Sequence, residues 1–111
     1  MNTLASIARK TAPAILVALM TIACGDKPEA LLASAKEYLA KNDSKAAVIQ
    51  IKNALQSNPN LPEARFLLGA TLFESGDPVG AETELRKALD LGHPQDVVVP
   101  LLARAMLARG D

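Results

Sequence analysis

Apolar residues recur at helical spacing in five separate segments of this chain. This spacing places them on one face of an α-helix. The pattern predicts helices at about residues 28 to 41, 45 to 57, 62 to 75, 79 to 91 and 97 to 109. Alanine and leucine dominate these segments, which suits closely packed helices and leaves little for a sheet. The predicted fold class is all-α.

The chain also matches itself at a regular interval, in three windows that begin at Pro28, Pro62 and Asp96. We call this interval, from the start of one window to the start of the next, the repeat period. The second halves of the first two windows align Ala47 with Ala81, Ile51 with Leu85, Ala54 with Ala88 and Leu55 with Leu89. A match that keeps the same phase through successive windows is what stacked helical units require. The alternative is an ordinary bundle of helical hairpins, which has no reason to keep such a period.

Local signals mark where the helices start and stop. Asp77 can cap the helix that follows it, and Pro78 occupies a first-turn position where proline costs no hydrogen bond. Gly76 and Gly92 can adopt the left-handed conformation that ends a helix. Pro100 follows three valines, so we expect the fifth helix to start late or to carry this proline within its first turn.

Composition narrows the classes of function. At 111 residues the chain forms one small domain at most, and its twelve basic residues balance twelve acidic ones. Without residues 1–23 the remainder is slightly acidic, so nothing favours nucleic acid as a partner.

The amino-terminal segment differs from the rest of the chain. Arg9 and Lys10 precede an uncharged, mostly apolar run, Thr11 to Ala23, which ends just before the only cysteine, Cys24. The run is shorter than the roughly 20 residues of a membrane-spanning helix and fits an export signal. We therefore predict a signal peptide at residues 1–23. An uncleaved signal anchor with an incidental thiol is the alternative.

Met20-Thr21-Ile22-Ala23 before Cys24 resembles the lipobox of bacterial lipoproteins, although Thr21 stands where that family usually carries leucine. The resemblance implies cleavage before Cys24, lipid modification of this cysteine, and a short tether, so that residues 24–27 form the anchor. Gly25 follows the cysteine where the family uses aspartate for inner-membrane retention. The implied location is the periplasmic face of the outer membrane, with the inner membrane as the alternative.

No set of residues predicts catalysis. His93 is the only histidine and lies in a Gly-His-Pro turn. Since no second histidine and no nearby cysteine could form a metal site or a nucleophile–base pair with it, we expect it to be a solvated turn residue. Glu82 and Glu84 are expected to be exposed helix charges, paired with Arg86 and Lys87 along the helix surface. We predict neither an enzyme nor a protein with a metal, a cofactor or a small-molecule substrate.

Each window resembles a tetratricopeptide repeat, a family with a period of about 34 residues, Leu-Gly and an aromatic in the first helix, then alanine, a large apolar residue and alanine in the second. The matching residues are Ala35, Tyr38, Ala47, Ile51, Ala54 and Pro59 in window one, and Leu68, Gly69, Leu72, Gly76, Asp77, Ala81, Leu85 and Ala88 in window two. The resemblance implies a solenoid of antiparallel hairpins, with repeats at 28–61 and 62–95 and the first helix of an incomplete third at 96–111. The family pattern is not followed at Leu31 and Arg65, where the family has its first large residue, or at Ser34, which replaces a leucine.

In this arrangement Ala35, Gly69 and Ala103 share one phase, where a small residue lets the antiparallel partner helix approach. Ala47 and Ala81 offer the opposing shallow surface. The space between the helices is then filled by Tyr38, Ile51, Leu72 and Leu85.

A narrower resemblance covers nearly the whole chain after the signal. Residues 36–41, 46–55, 63–69 and 99–105 resemble the opening of the tetratricopeptide lipoproteins of the PEP-CTERM/exosortase system, which accompany exopolysaccharide production and protein sorting at the envelope of Gram-negative bacteria. Members of that family are longer arrays. The resemblance implies that this chain is an amino-terminal fragment and that its last helix lacks a following partner, with an exposed apolar strip at Val97, Val98, Leu101, Leu102 and Leu107.

In the tetratricopeptide family the first helices of successive repeats line a groove that binds a partner. The corresponding residues here are Leu32, Lys36 and Leu39, then Phe66, Ala70 and Phe73, and finally Arg104. The groove is mostly apolar, so we expect an extended apolar peptide or a partner helix, anchored at Phe66 and Phe73. The alternative is that both phenylalanines only pack in the core.

The function implied by these resemblances is a non-enzymatic, membrane-anchored scaffold that binds envelope proteins and serves exosortase-linked sorting and exopolysaccharide production or export. The alternative is a lipoprotein assembly factor for outer-membrane proteins or pili. Glycosyltransferase and exosortase genes next to this one would favour the scaffold, and barrel-assembly or pilus genes the assembly factor.

Overall fold

The computed structural model describes residues 26–110, and all regular structure in this part of the chain is helical. Its five helices are α1 (Pro28–Ala40), α2 (Ser44–Ser57), α3 (Pro62–Glu74), α4 (Pro78–Asp90) and α5 (Gln95–Ala108). The predicted all-α class and the positions of the helices are confirmed, with every end close to its predicted place. None of these five helices combines the length and the hydropathy that a membrane crossing requires. The predicted signal peptide and Cys24 lie outside the described residues.

The turns that end α1 and α3 are built in the same way. Asp43 donates its backbone N–H to the Tyr38 carbonyl and Asp77 to the Leu72 carbonyl, both at 2.9 Å. The residue before each aspartate has a positive φ, 59° at Asn42 and 86° at Gly76, and Gly110 after α5 has 93°. This is the hydrogen-bond pattern of a Schellman motif, in which one left-handed residue reverses the chain. The repeat period of the sequence is thus also a period of backbone conformation.

The helices that follow these turns start on equivalent caps. The Asp43 carboxylate accepts a hydrogen bond from the Ala46 N–H at 3.1 Å, and the Asp77 carboxylate accepts one from the Gly80 N–H at 2.8 Å. Each bond satisfies an amide that has no partner inside the helix. The predicted capping role of Asp77 and the left-handed conformation of Gly76 and Gly92 are confirmed.

Replacing Asp77 by alanine removes one of these caps. We expect D77A to lower the free energy of unfolding by about 1 kcal/mol, the usual cost of losing a side-chain cap. Asp90 is an exposed aspartate at the carboxyl end of the same helix, where it makes no cap. Urea unfolding followed by circular dichroism should therefore show a loss for D77A and little change for D90A. Equal losses in the two variants would contradict the capping role.

Packing joins the helices in sequence order. Contacts are most extensive within the pairs α1–α2 and α3–α4, and smaller between α2 and α3 and between α4 and α5. Short turns connect the helices of each pair, at 41–43 and 75–77, so the two helices run antiparallel. Such neighbour-to-neighbour packing is compatible with a tetratricopeptide-like helical repeat.

Two apolar clusters form the core. The first joins residues of α1, α2 and α3: Leu32, Ala35, Ile51, Ala54, Leu55, Ala64 and Leu68. The second joins residues of α4 and α5: Ala81, Leu85, Ala88, Val98, Leu102 and Ala105, with Leu72 and other side chains of α3 packed against it. Each hairpin therefore buries part of its apolar surface against the next helix along the chain.

Small residues sit at the centre of each antiparallel pair. A Cβ atom on Gly69 would lie 2.7 Å from Cγ of Leu85 and 3.2 Å from the carbonyl oxygen of Ala81. In the first pair, Ala35 is fully buried together with Ala47 and Ile51. Close approach of the helices at these points leaves no room for a larger side chain.

The fifth helix differs from its prediction. It begins at Gln95, and Pro100 lies inside it, beyond the first turn. The helix starts early because the Pro94 carbonyl accepts hydrogen bonds from the Val97 and Val98 N–H groups, at 3.2 and 3.1 Å. Pro100 donates no bond to the Asp96 carbonyl. Both residues are exposed, so water can reach this carbonyl.

The expected apolar strip on α5 is also corrected in part. Val98 and Leu102 are buried against α4, since they belong to the second core cluster. Val97 and Leu107 are exposed.

Candidate binding surface

The first helices of the hairpins, α1, α3 and α5, are linked by side-chain contacts that involve several predicted groove residues. The Lys36 ammonium on α1 forms an ion pair with the Glu63 carboxylate on α3. On the other side of α3, the Arg104 guanidinium of α5 lies 5.0 Å from the centre of the Phe73 ring. These contacts link α1 to α3 and α3 to α5. We call the surface formed by side chains of α1, α3 and α5 the first-helix face.

Both phenylalanines of the first-helix face are half-buried. They pack against the second core cluster, so each ring is shared between the core and the surface. The alternative that both phenylalanines only pack in the core is therefore only partly correct, because part of each ring remains accessible.

His93 is not the solvated turn residue that was expected. Its ring stacks on Phe66 with 4.7 Å between ring centres and an angle of 18° between the planes. The imidazole is half-buried because the connection between α4 and α5 carries it over Phe66 on α3. Phe66 and His93 are distant in the chain, and neither helical spacing nor the repeat period pairs them.

The other predicted groove residues divide into two groups. Leu39 and Ala70 are half-buried and remain accessible. Leu32 is only 5% exposed and belongs to the first core cluster, so its assignment to the groove is corrected. It lies one helical turn before Ala35, on the side of α1 that packs against the next helices.

Two glutamates that were expected to be exposed are largely buried instead. Glu82 on α4 is 8% exposed. One of its carboxylate oxygens pairs with the Arg86 guanidinium at 2.8 Å, and the other lies 3.0 Å from the Arg109 guanidinium just beyond α5. The burial arises because α4 packs between α3 and α5, so this side of it is covered.

Glu84 lies at the centre of a second cluster of charged side chains. It pairs with Arg65 on α3 at 2.8 Å and with Lys87 at 3.1 Å. The Arg65 guanidinium also donates two hydrogen bonds, of 3.1 and 3.0 Å, to the Pro59 carbonyl. One arginine thereby connects the turn before α3 to both helices of the second hairpin.

One feature of the sequence indicates this network. Arg65 occupies a phase where the repeat pattern expects a large apolar residue, and an arginine placed toward the core needs a carboxylate partner. A shallow depression lies beside it, lined by Pro59, Asn60, Arg65, Lys87, Asp90 and Leu91. Since Arg65 and Lys87 already pair with Glu84, we regard this depression as structural.

Within residues 26–110, no group of three or more His, Cys, Asp or Glu side chains is arranged to hold a metal ion. Comparison with known proteins adds no relative: no protein-family model matches the chain, and no curated protein matches it.

Proposed function

We propose that this chain is a tetratricopeptide-type scaffold that binds an apolar segment of another protein along its first-helix face, without catalysis. The observation that carries this proposal is the repeat period of the fold. The starts of the first four helices, the aspartate caps and the left-handed turn residues recur at this interval. Stacked units of one kind present the same helix repeatedly on the same side, which produces an extended surface for a partner.

The chemistry of the first-helix face indicates what it binds. Phe66, Ala70 and Phe73 lie one helical turn apart along α3 and remain partly accessible. The cations on either side are already engaged, Lys36 with Glu63 and Arg104 with the Phe73 ring. A face with an apolar middle and satisfied charges favours an apolar peptide or helix over an acidic carboxyl terminus.

The anchor and the cellular role rest on sequence resemblance. Cys24 would carry the lipid, and the helices would stand in the periplasm close to the outer membrane, or to the inner membrane. The resemblance to PEP-CTERM/exosortase lipoproteins supports a role in protein sorting and in exopolysaccharide production or export. The partners would then be envelope proteins or peptides.

Site-specific photo-crosslinking tests the binding face. A benzophenone amino acid at Ala70, in the middle of the first-helix face, should crosslink a partner in intact cells. The same probe at Thr83, an exposed position on α4, is the matched control and should give no product. Replacing Phe73 by alanine should weaken the Ala70 crosslink.

Crosslinks of equal strength at Ala70 and Thr83, or at neither, would reject the first-helix face as the binding surface. This readout does not depend on Cys24, so failure of the lipid anchor would be recognised separately.

A further inference from the structure

The lysines of the chain differ in whether they pair with a carboxylate. Within residues 26–110, Lys36 and Lys87 form ion pairs with carboxylates of α3 and α4. Lys45 and Lys52 on α2 form no ion pair in this part of the chain, and α2 itself contains no aspartate or glutamate. Both side chains are exposed. The helix α2 therefore carries two positive charges that no ion pair within these residues neutralises.

These lysines lie on one side of α2, together with an exposed apolar residue. Ile49, between them, is 58% exposed. A spacing of three or four residues places such side chains along one side of a helix. The core lies on the opposite side, where Ala47, Ile51 and Ala54 are fully buried. We call this row of exposed residues the outer α2 stripe: Lys45, Ile49, Lys52 and Gln56.

The repeat does not require this combination of residues. At the repeat period Ile49 corresponds to Thr83 of α4, and Lys52 corresponds to Arg86. Arg86 is paired with Glu82 at 2.8 Å. The charged residues within α2 are all basic, whereas those within α4 are mostly acidic. The positive outer α2 stripe is thus a property of the first hairpin and not of the repeat.

A short tether keeps the first hairpin close to the proposed lipid anchor. Three residues separate Cys24 from Pro28, where α1 begins. Even fully extended, a tether of this length reaches about 14 Å. Because α1 and α2 are antiparallel, the end of α2 with Lys52 and Gln56 lies beside the start of α1. An anchored chain therefore holds this end of α2 near the membrane surface.

We propose that the outer α2 stripe lies on the membrane and binds anionic phospholipid headgroups, an inference that rests on the lipid anchor of the proposed function. Lys45 and Lys52 pair with lipid phosphates, and Ile49 enters the boundary between headgroups and acyl chains. The apolar stems of the lysines suit this boundary, because their ammonium groups can extend to the phosphates.

This orientation agrees with the length of the tether and with the first-helix face. A helix is about 10 Å wide, so α2 fits between the membrane and α1 within the reach of the tether. The buried side of α2 packs toward α1 and α3. Both of these helices then lie on the side of α2 away from the membrane, which leaves the first-helix face accessible to a partner.

An acidic protein segment is the competing occupant of the outer α2 stripe. The stripe is a single row of side chains with one apolar residue. It offers little of the roughly 800 Å² that each partner buries in a stable protein interface. A membrane needs less contact area, because the anchor already holds the chain beside it at a high effective concentration.

Fluorescence quenching in vesicles tests this orientation. The full chain, purified with its lipid, is reconstituted in vesicles of phosphatidylcholine alone or mixed with phosphatidylglycerol, all containing a lipid with a nitroxide near its headgroup. Q56C labelled with nitrobenzoxadiazole should be quenched strongly where phosphatidylglycerol is present and weakly where it is absent. D90C is the matched control, since Asp90 is exposed at the equivalent position of α4, and its label should be quenched weakly in both.

Substitution of the lysines tests the role of charge. In the labelled Q56C chain, K45Q/K52Q should lower the ratio of docked to undocked molecules about 25-fold, since each lysine near an anionic surface contributes about fivefold. K45R/K52R keeps both charges and should retain the quenching. These side chains are exposed, so helix content by circular dichroism should not change.

Equal quenching of Q56C in the two kinds of vesicle would overturn the proposal, as would unchanged quenching in K45Q/K52Q. A benzophenone amino acid at Ile49 that crosslinks an acidic protein in cells, with no quenching of Q56C in vesicles, would assign the stripe to a protein and would also overturn it.

The chain without an added cysteine reports on the anchor in the same experiment. A lipidated Cys24 has no free thiol, so this chain should take up no nitrobenzoxadiazole. Uptake of the label would show that the anchor is absent and would overturn the membrane contact, whereas the first-helix face would still be tested separately by its crosslinks.

Discussion

Truncation of Leu85 to alanine should strongly destabilise the protein. Leu85 is fully buried, and its side chain lies against Gly69 of α3 and within the core cluster shared by α4 and α5. Losing a buried leucine side chain costs about 2–5 kcal/mol, from lost burial and from the cavity left behind. Small domains have a total stability of about 5–15 kcal/mol, and short repeat arrays have few interfaces to share the loss.

L107A provides the matched control, because it makes the same chemical change on a side chain that is 72% exposed. We expect L107A to change the unfolding free energy by less than about 0.5 kcal/mol. Urea titration monitored by the helical circular dichroism signal compares both variants with the parent chain. Similar midpoints for L85A and the parent would show that the second core cluster does not hold the helices together.

Replacement of Cys24 by serine should abolish lipid modification and release the protein from the membrane. Serine cannot form the thioether that carries the acyl chains. Each methylene buried in a bilayer contributes about 0.8 kcal/mol, and two or more chains together anchor a protein stably. The expected effect of C24S is therefore all or none, and larger than that of any surface substitution.

Labelled palmitate incorporation and membrane fractionation measure this effect. K27A, in the same tether, should keep both the label and the membrane association. Loss of label with retention in the membrane would support the uncleaved signal anchor, since the apolar run Thr11 to Ala23 would then hold the chain. Incorporation of label into C24S would remove Cys24 as the lipidation site.

Features fixed by local chemistry were predictable from the sequence. The Asp77 cap and the left-handed Gly76 and Gly92 follow from residues that are close together in the chain, and the structure contains all three. The helix positions also follow from a local pattern. The early start of α5 was not predicted. It depends on hydrogen bonds from the Val97 and Val98 N–H groups to the Pro94 carbonyl, and a run of three valines is not a typical helix start.

Features that depend on how the hairpins stack were not predictable from spacing along the chain. Glu82 was expected to be exposed, but α5 covers it and Arg109, just beyond α5, pairs with it. The stacking of His93 on Phe66 requires the connection after α4 to pass over α3. Leu32 is buried because α2 and α3 together close over its side of α1. Each of these contacts joins side chains on different helices.

The central claim is that the chain is built from like helix pairs that recur at the repeat period. The most direct test is an experimentally determined solution structure of the full chain by NMR. We predict that residues 28–57 superimpose helix on helix with residues 62–91, and that Asn42, Gly76 and Gly110 all have positive φ angles in three-bond coupling measurements. Two hairpins that do not superimpose, or a negative φ at Gly76, would contradict the repeat and with it the proposed binding face.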